Sequence, residues 1–194
     1  MRQPLLLALA GSLAVLACAG EGAAPRTPAD LTNPYLGPAW SQWLVGAIAS
    51  MATQAEVDRY LAVRSDQEAE AFVAAFWQRR DPDPTRPGNR LHELFESRAQ
   101  EADRRFAEAG YPGRRTPRGQ IWVLFGQPEE IEYETNPRVG EPPLEVWSYP
   151  REAARGLHGK TPAHQYHFIK RGELTVRYHP LREGPQRRPT LLDG

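Results

Sequence analysis

Arg79-Arg80-Asp81-Pro82-Asp83-Pro84 is the most distinctive polar cluster in this 194-residue chain. Asp81 and Asp83 offer carboxylate oxygens of the kind that hard cations take, although two carboxylates fall short of the about six to eight ligands calcium uses. The other reading is structural: the arginines complement a helix C-terminus, and the aspartates cap turns or pair with arginine. A second cluster, Arg114, Arg115 and Arg118, can clamp a phosphate or carboxylate with guanidinium forks, or can be a solvated loop.

His158, His164, His167 and His179 all fall in the last third. His164 and His167 are three apart, which places them on opposite faces of a strand. A metal site therefore needs His158 or His179 to converge with one of them; the alternative is a set of surface histidines on a hairpin. Gly126-Gln127-Pro128-Glu129-Glu130 follows an apolar run but lacks the phosphate-loop spacing and its Lys-Ser/Thr ending, and reads as a turn. Glu129, Glu130, Glu132 and Glu134 contain enough carboxylates for an acid/base pair, but no partner nucleophile accompanies them and no nucleophile elbow is present. These patterns imply no cofactor and no metal, and they favour a non-enzyme.

Lys+Arg and Asp+Glu balance at 24 each. Nucleic-acid binders carry a basic excess, so nucleic acid is not an expected partner. Cys18 is the only cysteine, which excludes an internal disulfide and a cysteine zinc site. It ends an apolar stretch, residues 5–17, that follows Arg2. A basic start and a short apolar core form a secretory signal, and the run is too short to cross a bilayer comfortably. Val15-Leu16-Ala17-Cys18 resembles the lipobox of bacterial lipoproteins, with a small residue before the thiol that accepts lipid. That resemblance implies a signal peptide over residues 1–17 and palmitate-type acyl chains on Cys18, each buried methylene contributing about 0.8 kcal/mol to anchorage. A plain secretory signal with an incidental cysteine is the competing reading. Residues 18–37 are expected to form the lipidated cysteine and a flexible tether. Within them, residues 19–34 are small and Pro-containing and span roughly 50 Å if extended. Ala19 is not the aspartate linked with inner-membrane retention, so in a two-membrane cell the address is the outer membrane, facing the periplasm.

The elements that must position these groups change character midway. Residues 38–50 carry Trp40, Trp43, Leu44, Ala47 and Ile48 at helical spacing. Trp40 and Trp43 either pack on the domain or face a partner or bilayer. Thr53-Gln54-Ala55-Glu56 and Ser65-Asp66-Gln67-Glu68 are capping-box patterns. The second opens a helix with Ala69, Phe72, Val73, Phe76 and Trp77 inward, stopping at Asp81-Pro82. A long helix over residues 89–109 follows, with Leu91, Leu94, Phe95, Ala99, Ala102 and Phe106 as its buried stripe and Gly110 as its C-terminal cap. Ile121-Trp122-Val123-Leu124-Phe125 is a continuous apolar run that reads as a strand covered on both faces. Residues 130–133, 144–149, 165–170 and 174–178 are further strands, with Arg171-Gly172 making a tight hairpin. The expectation is an α+β domain over residues 38–179, N-terminal helices followed by a small, mainly antiparallel sheet. Residues 180–194 are expected to form a disordered tail.

Phe76-Trp77-Gln78-Arg79-Arg80-Asp81-Pro82, Asn89, the helix ending in Phe106, and the block from Arg118 to Ile131 together resemble the GWxTD-domain family, exported bacterial proteins of unassigned activity. The resemblance covers about residues 50 to 150. The motif that names the family is degenerate here: Gly113-Arg114-Arg115-Thr116-Pro117 keeps the glycine and threonine and replaces the tryptophan and aspartate. The family supplies no catalytic residues.

Taken together, the sequence leads us to expect an envelope lipoprotein, held at a membrane by its lipid, whose domain binds another envelope protein. The alternative is an enzyme or small-ligand binder acting on envelope material, with the Arg79–Asp83 turn and the arginine loop lining one cleft.

Overall fold

In the computed structural model, residues 26–179 are described. The signal segment, Cys18 and residues 180–194 lie outside the described residues. The fold is α+β, with helices first and an antiparallel sheet after. The helices are α1 (Ala47–Met51), α2 (Gln54–Leu61), α3 (Asp66–Gln78), α4 (Arg90–Phe106) and α5 (Pro117–Phe125). The strands are β1 (Glu130–Glu134), β2 (Leu144–Ser148), β3 (Gln165–Arg171) and β4 (Leu174–Tyr178), hydrogen-bonded in the order β1-β2-β3-β4.

The helix starts follow local chemistry. Thr53 and Glu56 form a complete capping box on α2, satisfying amides that a helix start otherwise leaves open. Ser65 caps α3 by accepting from the Glu68 amide, but the Glu68 carboxylate bonds the Arg64 amide instead of closing the box. Asn89 caps α4 through the His92 amide at 3.0 Å. The Phe95, Ala99, Ala102 and Phe106 stripe is buried, while Leu94 is exposed.

Residues 121–125, expected as a strand, are the body of α5. A continuous apolar run carries no period, so periodicity alone cannot separate a buried helix from a buried strand. The deciding signals precede it. The Thr116 hydroxyl accepts from the Gly119 amide at 3.1 Å, and Pro117 occupies the first turn, where a missing N–H costs nothing. Ile121, Trp122, Val123 and Leu124 are all buried, because α5 lies between α4, α1 and β4.

Three further expectations are corrected. Residues 38–46 are successive turns, with the Trp43 amide bonded to the Trp40 carbonyl and the Val45 amide to that of Gln42. Helix begins only at Ala47 because Gly46 has φ +106° and packs where a Cβ would lie 2.8 Å from the Arg114 carbonyl oxygen. Gly110 does not cap α4, which ends at Phe106 with Ala107 extended; Gly110 instead turns the chain so that Glu108 and Tyr111 bridge. The expected tether to residue 37 is folded over its last part. Leu31, Asn33 and Leu36 are buried, and the Asn33 amide nitrogen donates to the Tyr60 and Val63 carbonyls at 2.9 and 3.0 Å. Its anchor is one polar side chain and has no period to recognise.

One sheet face carries Tyr166, Trp147 and Phe168 into the helical core. Trp147 packs on Phe106 and Phe168 at ring separations of 5.3 and 5.1 Å, and burying such side chains stabilises by roughly 1.5–3 kcal/mol each. The other face gathers Leu144, Val146, Ile169 and Tyr178. β3 and β4 join through Gly172-Glu173, with Gly172 at φ +60°, as a two-residue hairpin with glycine first requires.

Candidate functional site

The Arg79–Asp83 cluster is an internal brace. Arg80 Nη1 and Nη2 reach Glu56 Oε1 and Oε2 at 3.0 and 2.6 Å, Arg79 Nη2 reaches Glu56 Oε1 at 3.0 Å, and Arg80 Nη2 also donates to the Met51 carbonyl at 3.0 Å. The Arg80 guanidinium lies 3.6 Å from the Phe76 ring centroid. One arginine thus ties the end of α1, the cap of α2 and the end of α3. Hydrogen bonding from Arg80 lowers the Glu56 carboxyl to about 2 from the usual 4.5. The aspartates close turns: Asp81 accepts from the Asp83 amide, Asp83 accepts from the Thr85 amide and hydroxyl, and Arg86 pairs with Asp83 at 3.0 Å. Their oxygens face this local work and no shared ligand position.

The three arginines of the second cluster diverge. Arg114 Nε pairs with Asp103 at 2.7 Å and its Nη1 lies 3.5 Å from Glu96. Arg118 enters the layer between α5 and the sheet, where Nη2 meets Glu108 at 3.0 Å and Nη1 meets Glu145 at 3.1 Å. Glu108 also accepts from the Thr175 amide and hydroxyl at 3.0 and 2.8 Å, and Glu145 accepts from Trp147 Nε1 at 2.7 Å. Both carboxylates are largely enclosed, with side chains 7% and 12% exposed. Arg115 Nη1 donates to Gln42 Oε1. Burial and the neighbouring Arg114 charge push the Arg115 guanidinium below its ordinary pKa.

Gly113 and Thr116 each have a structural task. A Cβ on Gly113 would lie 1.8 Å from the Ala102 carbonyl oxygen, and Thr116 caps α5. Of their neighbours, Arg114 bonds α4 and Pro117 opens α5.

The cavities that Arg115 lines include none of Asp81, Asp83 or residues 129–134. Asp81 and Asp83 sit in the turn after α3, Arg115 sits beside Gln42, and Glu130, Glu132 and Glu134 line the exposed strand β1. Of the histidines, His164 Nδ1 lies 2.7 Å from the Tyr149 carbonyl oxygen and His158 packs edge-on to Phe125. Among the described residues no group of three or more His, Cys, Asp or Glu is placed to hold a metal ion, and no helix is long and apolar enough to cross a membrane. Trp43 sits among Tyr60, Phe72 and Phe76, and Trp40 packs partly buried on the same core, so neither presents an apolar strip.

Two features escaped sequence reasoning. The Glu108–Arg118–Glu145 node joins residues from separate parts of the chain, and nothing local marks it. The β1 edge carries Ile131 and Tyr133, 45% and 71% exposed, on the same face as Trp147 and Glu145. Its alternation was visible; its position at the edge of the sheet was not. No protein-family model, curated protein or solved structure matches the chain.

Proposed function

We propose that this chain is a lipid-anchored protein of the cell envelope whose domain works by binding another envelope protein along the outer edge of β1. The anchor reading rests on the sequence around Cys18. The observation that carries the binding reading is the edge itself. β1 pairs with β2 on one side only among the described residues, and an open strand edge presents unpaired N–H and C=O groups that an extended segment can complete. A purely protective edge needs charge alone, whereas this one also exposes Ile131 and Tyr133. Glu130, Glu132 and Glu134 alternate with them on the opposite face. Two copies pairing here would set acidic rows together, which opposes self-association; a partner segment with lysine or arginine at alternate positions complements it.

The test places a photocrosslinking phenylalanine at Tyr133 in cells and, as a control away from the sheet, at Tyr35. A discrete adduct at position 133 that disappears when Ile131→Lys is added supports the reading. Equal adducts at both positions, or none at 133, sinks it. Cys18→Ser is expected to release the chain from the membrane fraction, and unchanged sedimentation removes the anchor without touching the edge.

A further inference from the structure

A cavity of about 270 Å³ opens beside Arg115, walled by Val45, Tyr111, Pro117, Leu174 and Val176. Its wall is largely apolar, and the polar groups in it are already engaged. Glu108 is held by Arg118, by the Thr175 amide and hydroxyl, and by Lys170 at 3.9 Å. The Thr116 hydroxyl donates to the Gly113 carbonyl and accepts from the Gly119 amide.

Arg115 differs from its neighbours. Arg114 and Arg118 each meet two carboxylates. Arg115 meets only the neutral Gln42 side chain, and Asp103, which acts on it at longer range, is bonded by the Arg114 amide and Nε. A guanidinium has five N–H donors in a planar fork, so the bond to Gln42 leaves others for a ligand. An uncompensated cation against an apolar wall suits a molecule with an anionic head and an aliphatic body.

We infer that this cavity binds an aliphatic monocarboxylate, its head on Arg115 and its tail against Val45, Leu174 and Val176. The cavity lies just under the about 300 Å³ lower end of small-molecule sites, so it admits one short tail and excludes two-chain lipids. The site is separate from the β1 edge and holds whether or not a partner strand binds there.

The test uses the full chain carrying Cys18→Ser, so that no acyl chain of its own competes, and measures binding of acetate, butanoate, hexanoate and octanoate by calorimetry. Affinity is expected to rise about fourfold per methylene and then level off when the cavity is full. Arg115→Gln should weaken octanoate at least tenfold and make it bind no better than octanol, with the circular dichroism unchanged. Leu174→Trp, on the partly exposed hairpin, should bring the plateau at a shorter chain. A chain-length series that stays flat, or octanoate binding indifferent to both substitutions in a folded protein, overturns the inference.

Discussion

Arg80 grips Glu56 with both terminal nitrogens, at 3.0 and 2.6 Å, while Glu56 keeps its backbone bond to the Thr53 cap at 2.9 Å. The carboxylate is nearly enclosed, 12% exposed, and its charge is met by the donors of the surrounding turns. Removing it leaves a largely buried guanidinium without its partner, and that is the costly way to break such a pair.

Glu56→Gln is therefore expected to lower stability by about 3 kcal/mol at neutral pH, read by urea unfolding. The acid response carries the sign. The folded-state pKa, about 2, lies below the usual 4.5, so this stabilisation is complete above pH 4.5 and is lost as pH falls through 2. The variant should show a shallower decline over that interval. An identical acid slope in both proteins removes Glu56 from the account.

The fold class and most elements were legible because their signals are local. Capping residues Thr53 and Ser65 mark real helix starts, and alternation in residues 174–178 marks a real strand. Residues 121–125 misled because full burial erases periodicity, and the informative residues were Thr116 and Pro117 just before them. The arginines were visible as a group. Their division into two neutralised and one available was not, because Asp103, Glu108 and Glu145 reach them only through tertiary packing.

Gly119 lies against the 3₁₀ turn Gly113–Arg115, and a Cβ at 119 would come within 1.8 Å of the Gly113 carbonyl oxygen. The obstacle is backbone, which cannot swing aside as a side chain does. Gly119→Ala and Gly113→Ala are each expected to cost about 3 kcal/mol, at the upper end for overpacking, despite alanine's better helix propensity at position 119. Thermal melts decide it: a variant as stable as the parent shows that the 3₁₀ turn and helix can separate freely.

Arg118 pairs with both Glu108 and Glu145 between helix and sheet. Arg118→Met keeps much of the packing on Phe106 but strands two buried carboxylates, with an expected loss of about 3–5 kcal/mol. Adding Glu108→Gln and Glu145→Gln should recover part of that loss, because the amides carry no charge to leave unpaired. If the triple variant is no more stable than Arg118→Met, packing rather than charge holds this layer.

On the proposed lipid anchor at Cys18, Asn33 sets how far the domain can stand from the membrane. Its side chain accepts from the Tyr35 amide at 3.1 Å and donates to the Tyr60 and Val63 carbonyls, fastening residues 31–36 to the body. With that segment docked, the chain from Cys18 to Thr27 can reach only about 30 Å when fully extended. Asn33→Ala leaves the two carbonyls their other donors, the Val63 amide and Arg64, but strips the Tyr35 amide of its acceptor. The expected cost is about 2 kcal/mol, concentrated in local opening. Hydrogen exchange should then accelerate over residues 31–36 while the α4 amides keep their protection. Uniform acceleration across both would mean that Asn33 supports the whole core, and the docked segment could not lengthen the tether on its own.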